Sequence, residues 1–349
     1  MTVTEFRPDP VSRSTVREGN DMLARRSRQF RAVRRIVAVL GAVVMALTAA
    51  AVPANSAVPG GREGDVYMRD QNSDFGFEPF NGSVWNSPDI KVCNVANPAC
   101  VPADPKVGGT SYIVVTLNNP GPGAPAGNVF GNLKLYYTAL GGAANWPGDW
   151  NDINTIAGLT VPPGQTTVIL PWPNVPGPGH FCLLARWVSN DDPMTFAEGA
   201  NTVTNTKNNN NIAWKNLTTV AMDRFTAQTR PFTVRNPGNE TLLTDLVFAQ
   251  PDKPFAGRVI VDLGPTLAAR WKQAGSPGVG VRQVGATQVE IVDPGQARIK
   301  NLPLTPREKF ETRLSFTAGD QTGRFVVDAW QADRSNVDIG GARYEITVK

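Results

Sequence analysis

The sequence predicts an all-β chain built as two tandem β-sandwiches behind an N-terminal leader. Three features predict it: many short β-branched runs with period-two alternation, Pro/Gly clusters between them, and no long stretch with apolar residues at helical spacing. The 33 glycines and 29 prolines among 349 residues follow no fixed period, so they punctuate turns. A hydrophobic content of 41% fills packed cores and excludes wholesale disorder. The length suits two domains once the leader is set apart.

The leader occupies residues 1–57. Arg25, Arg26, Arg28, Arg31, Arg34 and Arg35 form a positive block, an apolar Ala/Val-rich run follows over 36–52, and Ala54, Ser56 and Ala57 offer small-residue cleavage positions. That order is the order of a secretory signal, with Arg34-Arg35 leaving a twin-arginine route open. The competing reading is an uncleaved membrane anchor, against which the run is short and Ala-rich. Residues 1–57 carry nine arginines and four acids, a net +5, whereas the whole chain carries +4; the remainder therefore sums to −1. The basic charge belongs to the leader, so nucleic acid is not the expected partner. The expectation is a secreted, extracellular protein with no stable membrane insertion after cleavage.

Candidate strands in the first half lie at 90–93, 111–118, 133–138, 166–170, 180–188 and 212–222, separated by turn clusters such as NNPGPGAPAG and PGPG. A second series follows at 232–235, 242–248, 258–263, 283–292, 297–299, 310–317, 324–331 and 344–348. Within FETRLSF, Phe310, Thr312, Leu314 and Phe316 share one face and Glu311, Arg313 and Ser315 the other, the pattern of a half-buried antiparallel strand. Residues 267–274 are the one helical turn or two expected. The two series bury two separate apolar interiors.

Cys93 and Cys100 enclose NVANPA, whose ends can meet, and in an exported chain this predicts a disulfide. Cys182 sits in the apolar run FCLLARW and is expected as a buried free thiol. His180 is the only histidine, which removes HExxH and His-cage zinc chemistry and leaves one residue for any Ser-His-Asp arrangement. It opens an apolar strand, where a structural hydrogen bond is the expected role. No GxSxG, P-loop or dinucleotide fingerprint is present.

Carboxylate chemistry would draw on Asp191 with Asp192, Asp149 with Asp152, or Asp70 with Asp74, each in an expected loop. Asp70, Asn72, Asp74 and Glu78 offer oxygens at alternate positions around Gly76 and could wrap a calcium ion, with an Asx-bonded turn as the other reading. No other cofactor is expected. Trp146, Trp150 and Trp172 lie in Pro-rich loops, where they either cap the core or form a sugar-stacking face.

The segment SYIVVTLNNPG, with DVYMRDQNSDFGFEP, VWNSPDI, GHFCLLARW and NNNNIAWKN, resembles the CARDB-like modules of secreted bacterial proteins over residues 62–224. That resemblance implies an Ig-like sandwich there; residues 230–349 resemble Ig-like sandwiches in general pattern only. The expected fold is thus two tandem Ig-like β-sandwiches. In such modules an Asn-rich turn precedes the last strand, which implies a structural role for residues 205–211, expected as a polar hairpin loop. The modules often flank catalytic domains, and no catalytic neighbour stands here. The expected function is an exported, non-catalytic structural or binding protein, adhesive or partner-docking, with an extracellular protein or glycan as partner. The alternatives are a carbohydrate-binding protein using the loop tryptophans and a hydrolase with an unrecognised carboxylate site.

Overall fold

Strands dominate because the alternating segments hold apolar side chains on one face and turn residues at both ends. A computed structural model describes residues 64–177 and 181–349. The leader, in both its readings, and His180 lie outside the described residues. Among the described residues, no helix is long and apolar enough to cross a membrane.

The first half runs through β1 (Ile90–Cys93), β2 (Ser111–Asn119), β3 (Val129–Thr138), β4 (Asn151–Val161), β5 (Gly164–Trp172), β6 (Phe181–Ser189), helix α1 (Thr202–Asn208), β7 (Ile212–Leu217) and β8 (Thr219–Met222). A three-stranded sheet in the order β1-β2-β5 faces a four-stranded sheet in the order β4-β3-β6-β7. Ile113, Val115 and Leu117 of β2 meet Leu133, Leu135, Leu183 and Trp187 in the first core.

The second half runs through β9 (Ala227–Arg235), β10 (Leu242–Ala249), β11 (Arg258–Asp262), helix α2 (Gly264–Gln273), β12 (Gly278–Val279), β13 (Val281–Gln283), β14 (Gln288–Ile291), β15 (Arg298–Leu304), β16 (Lys309–Thr317), β17 (Gly323–Asp333) and β18 (Asp338–Val348). Its sheets have the orders β12-β15-β10-β17-β18-β8 and β13-β14-β11-β16-β9. As the alternation in FETRLSF predicts, Thr312, Leu314 and Phe316 are fully buried while Glu311 and Arg313 face water. Gly61–Lys349 forms one compact unit.

Three expectations are corrected. The strand expected over 212–222 is two: β7 stays in the first sandwich, and β8 leaves at Thr218 to pair in parallel with β18 in the second. A parallel partner 126 residues away leaves no local mark in the sequence. The tract read as a polar hairpin loop over 205–211 begins inside α1, whose N-cap Asn201 accepts from the Thr204 amide. Strand β4 was not anticipated because its outward positions are polar and its alternation is broken by two register shifts against β3.

The two series bury two separate clusters, as the alternation predicts, and a third cluster adjoins them. The run FCLLARW is apolar on both faces because both faces are covered. Phe181, Leu183, Ala185 and Trp187 point into the first core. Cys182 and Leu184 point the other way, into a third cluster with Trp85, Trp150, Val203, Ile212 and Trp214, against which Trp330 of β17 packs. Gly142 bridges both Thr233 and Gly341 across this junction, and the Asp149–Arg235 and Lys207–Asp338 ion pairs flank it.

Candidate functional site

At one end of the first sandwich, the loops around residues 65–80, 119–130 and 189–211 are tied together by buried carboxylates and amides. Asp65 accepts from the Gly123 amide at 2.5 Å and from Asn210 Nδ2 at 3.0 Å. Asp192 accepts from the Val66 amide at 2.9 Å and from Asn211 Nδ2 at 2.6 Å. Asn205 makes a pair of bonds with Gly199, and Asn209 a matching pair with Phe196. The expected structural role of the Asn-rich tract therefore holds, although the local form is helical. An amide carries both donors and an acceptor, so one buried Asn satisfies two strands of irregular backbone at once.

These fixed loops, together with the first residues of β3, present large apolar rings to water. Phe75 and Phe77 are 66% and 65% exposed, Phe130 is 56% and Phe196 is 37% exposed. Phe77 and Phe196 adjoin a contact between loops, because Glu78 Oε2 accepts from Thr195 Oγ1 at 3.1 Å. Phe130 is anchored by its own backbone, its amide donating to Asp191 and its carbonyl accepting from Ser189 Oγ.

The residues read as a calcium loop are turned to other partners. Asp74 Oδ2 accepts from the Asp70 amide at 2.8 Å and Oδ1 from the Gly76 amide at 2.9 Å, which is Asx-turn geometry. Glu78 Oε1 accepts from the Asn210 amide at 2.7 Å, and Asn72 lies exposed. Among the described residues, no three His, Cys, Asp or Glu side chains gather as a metal-holding group.

Asp70 itself is buried, with no hydrogen bond to Oδ1. Desolvation, reinforced by neighbouring Asp74, pushes its carboxyl well above the usual carboxylate range. The folded state therefore holds this proton more tightly than the unfolded chain. Its stabilising contribution is complete below the ordinary carboxylate pKa of about 4 and is lost as pH rises above it. Asp70→Asn is expected to raise the melting temperature at neutral pH, with the gain vanishing near pH ~4. Thermal melts of both proteins across that range check this, and a pH-independent difference contradicts it.

Of the two readings of the loop tryptophans, the structure favours packing on the core over a sugar-stacking face. Trp172 is 2% exposed and packs between Tyr137 and Phe181. Trp150 is buried edge-on against Trp214, its Nε1 donating to Thr202 Oγ1 at 3.1 Å. Trp146 is half-buried, with Tyr136 edge-on and the Arg186 guanidinium 4.2 Å over its ring. Trp150 and Trp146 pack in the junction cluster and Trp172 in the first core, so the three rings do not share one exposed face.

The acid pairs are likewise separated by their duties. Asp149 is bonded to Arg235 and the Asn145 amide, whereas Asp152 is exposed. Asp192 is fully buried and Asp191 holds Phe130. The Cys93–Cys100 disulfide is formed, with 6.0 Å between Cα atoms. Cys182 is buried and in no disulfide, and burial pushes its thiol up to about 12, which leaves it inert as a nucleophile at neutral pH.

No family model matches this sequence, and no curated protein matches it either. Among solved structures, the chain is similar to the CupB6 tip adhesin from Pseudomonas aeruginosa, at 10% identity over 82% of this chain and 98% of that one, with a TM-score of 0.19. It is similar to the collagen adhesin of S. aureus at 10% identity over 74% and 91%, with a TM-score of 0.18. The C-terminal domain of the Streptococcus pyogenes antigen I/II-family protein AspA gives 9% identity over 82% and 99%, with a TM-score of 0.20. Likeness of this order assigns neither a family nor a partner.

Proposed function

We propose that this chain is an exported, non-catalytic binding protein that docks an extracellular protein through the loop end of its first sandwich. The observation that carries the reading is the exposure of Phe75 and Phe77 on a loop, and of Phe130 at the start of β3, at an end of the sandwich locked from beneath by Asp65, Asp192, Asn210 and Asn211. Exposed rings cost solvation unless a partner covers them, and rings on pre-ordered loops lose little entropy on docking. The residue 1–57 pattern supports export, and the dispersal of the acid pairs supports a role without turnover.

The test is capture from native culture fluid and from isolated cell wall, with polysaccharide as a separate arm. A Phe75→Ser, Phe77→Ser double variant is expected to melt like the wild type and to lose about tenfold or more in capture of a protein partner, since buried aromatic anchors each contribute about 2 kcal/mol. Undiminished capture by this variant rejects the loop end as the docking surface. Retention on polysaccharide alone replaces the protein partner with a glycan.

A further inference from the structure

A cleft of about 450 Å³ lies beside the junction, bounded by β1, β7, the segment around Asn86 and residues Arg343 and Glu345 of β18. Its floor holds an unusual pair. Asn86 and Lys215 oppose each other in an antiparallel bridge, with the Ser87 amide donating to the Trp214 carbonyl at 3.0 Å and the Asn216 amide to the Trp85 carbonyl at 2.9 Å. Directly opposed residues of an antiparallel pair project to the same face, so the two side chains meet. Lys215 Nζ lies 2.8 Å from Asn86 Oδ1, which places the amine nitrogen in contact with the amide group.

Among the described residues, Lys215 has no carboxylate within ion-pair distance, its hydrogen-bond partner being this neutral amide. Pro88, Ile90 and Leu217 line the cleft around it. Burial lowers the pKa of the lysine; Glu345 opposes that shift and the Arg343 cation reinforces it. Arg343 is itself held in a two-armed pair with Asp328, at 2.8 and 2.7 Å, which fixes its charge beside the cleft. An amine that is deprotonated more readily, held against an amide, with a carboxyl nearby, is the equipment for acyl transfer.

We propose that Lys215 and Asn86 join in an internal amide cross-link. The free amine of Lys215 attacks Cγ of Asn86, forming the Nζ–Cγ bond. The Cγ–Nδ2 bond breaks and Nδ2 leaves as ammonia. One amine and one primary amide become one secondary amide and one ammonia, so nothing is oxidised or reduced. The carboxyl of Glu345 takes the proton that the attacking amine sheds and returns it to the departing nitrogen. The link would tie the segment before β1 to β7, immediately before the chain crosses into the second sandwich.

The test is peptide mapping of the full-length protein as secreted. The expected result is a branched peptide joining the segments that contain Asn86 and Lys215, lighter than their sum by one ammonia, with no tryptic cleavage after Lys215. Two unlinked peptides, with cleavage at Lys215 and an intact Asn86 amide, overturn the proposal. Lys215→Arg and Asn86→Ala are each expected to show the full mass calculated from their sequences; a variant still lighter by one ammonia places the loss elsewhere and overturns the pairing. Glu345→Gln, which leaves both reacting groups in place, is expected to stay unlinked, and a fully linked E345Q protein removes Glu345 as the proton carrier.

Discussion

Gly341→Val is expected to unseat the junction between the sandwiches and to lower stability by about 3 kcal/mol, at the upper end of what overpacking costs. A Cβ at position 341 would lie 2.4 Å from Trp85 Cε2 and within 2.6 Å of two further atoms of the same indole. Trp85 is 2% exposed and packed on all sides, so it has nowhere to swing. The neighbouring strand position is equally tight: a Cβ on Gly340 would meet the Ala143 backbone at 2.4 Å. Strand β18 thus carries a glycine pair where the indole and the 142–143 backbone press against it. Thermal melting reads the effect as a drop of about 5 °C for a unit of this size. A second arm, Gly341→Val combined with Trp85→Ala, is expected to cost less than the sum of the single changes, because the smaller side chain vacates the space the valine needs. Strict additivity of the two means that the indole is not what position 341 meets.

Asp192→Ala is expected to cost a comparable amount, about 3 kcal/mol, through a different cause. The carboxylate is fully buried and receives both the Val66 amide and Asn211 Nδ2. Removing it strands two buried donors, each costing about 1–3 kcal/mol when left without a partner. Because these bonds fix the loop end that carries Phe75, Phe77 and Phe196, partner capture is expected to fall along with melting temperature. That outcome separates Asp192→Ala from the Phe75, Phe77 double variant, in which capture falls alone. Unchanged melting in Asp192→Ala would mean that water replaces the carboxylate and that the loops hold themselves.

Much of the fold was legible because strand period is a local property. Residues 310–317 declared their buried face through alternation, 111–118 through a β-branched run, and 267–274 through helical spacing that became α2. The Cys93–Cys100 disulfide followed from a short turn-like loop in an export context. The loop tryptophans and the alternate-oxygen motif each leave two readings open in the sequence, and the packing decides between them: Trp150 and Trp172 are core and Asp74 binds backbone amides. Composition states what a loop can do and omits what covers it. One signal of the junction was in plain view: FCLLARW is apolar at every position but one, which a strand with a wet face does not need.

The sequence by itself determined an all-β chain, the positions of most strands, the near-neutral charge beyond residue 57 and the pairing of Cys93 with Cys100. These rest on side-chain period, turn chemistry and short loops, which act between near neighbours. Only the tertiary structure decided that β8 joins the second sandwich, that Trp330 packs on a third apolar cluster of the first half, that the side chains of Asn205, Asn209, Asn210 and Asn211 are buried struts, and that Asn86 meets Lys215 across 129 residues of chain. Each of those depends on which distant surfaces come together, and the pattern along a strand records that a face is covered without recording by what.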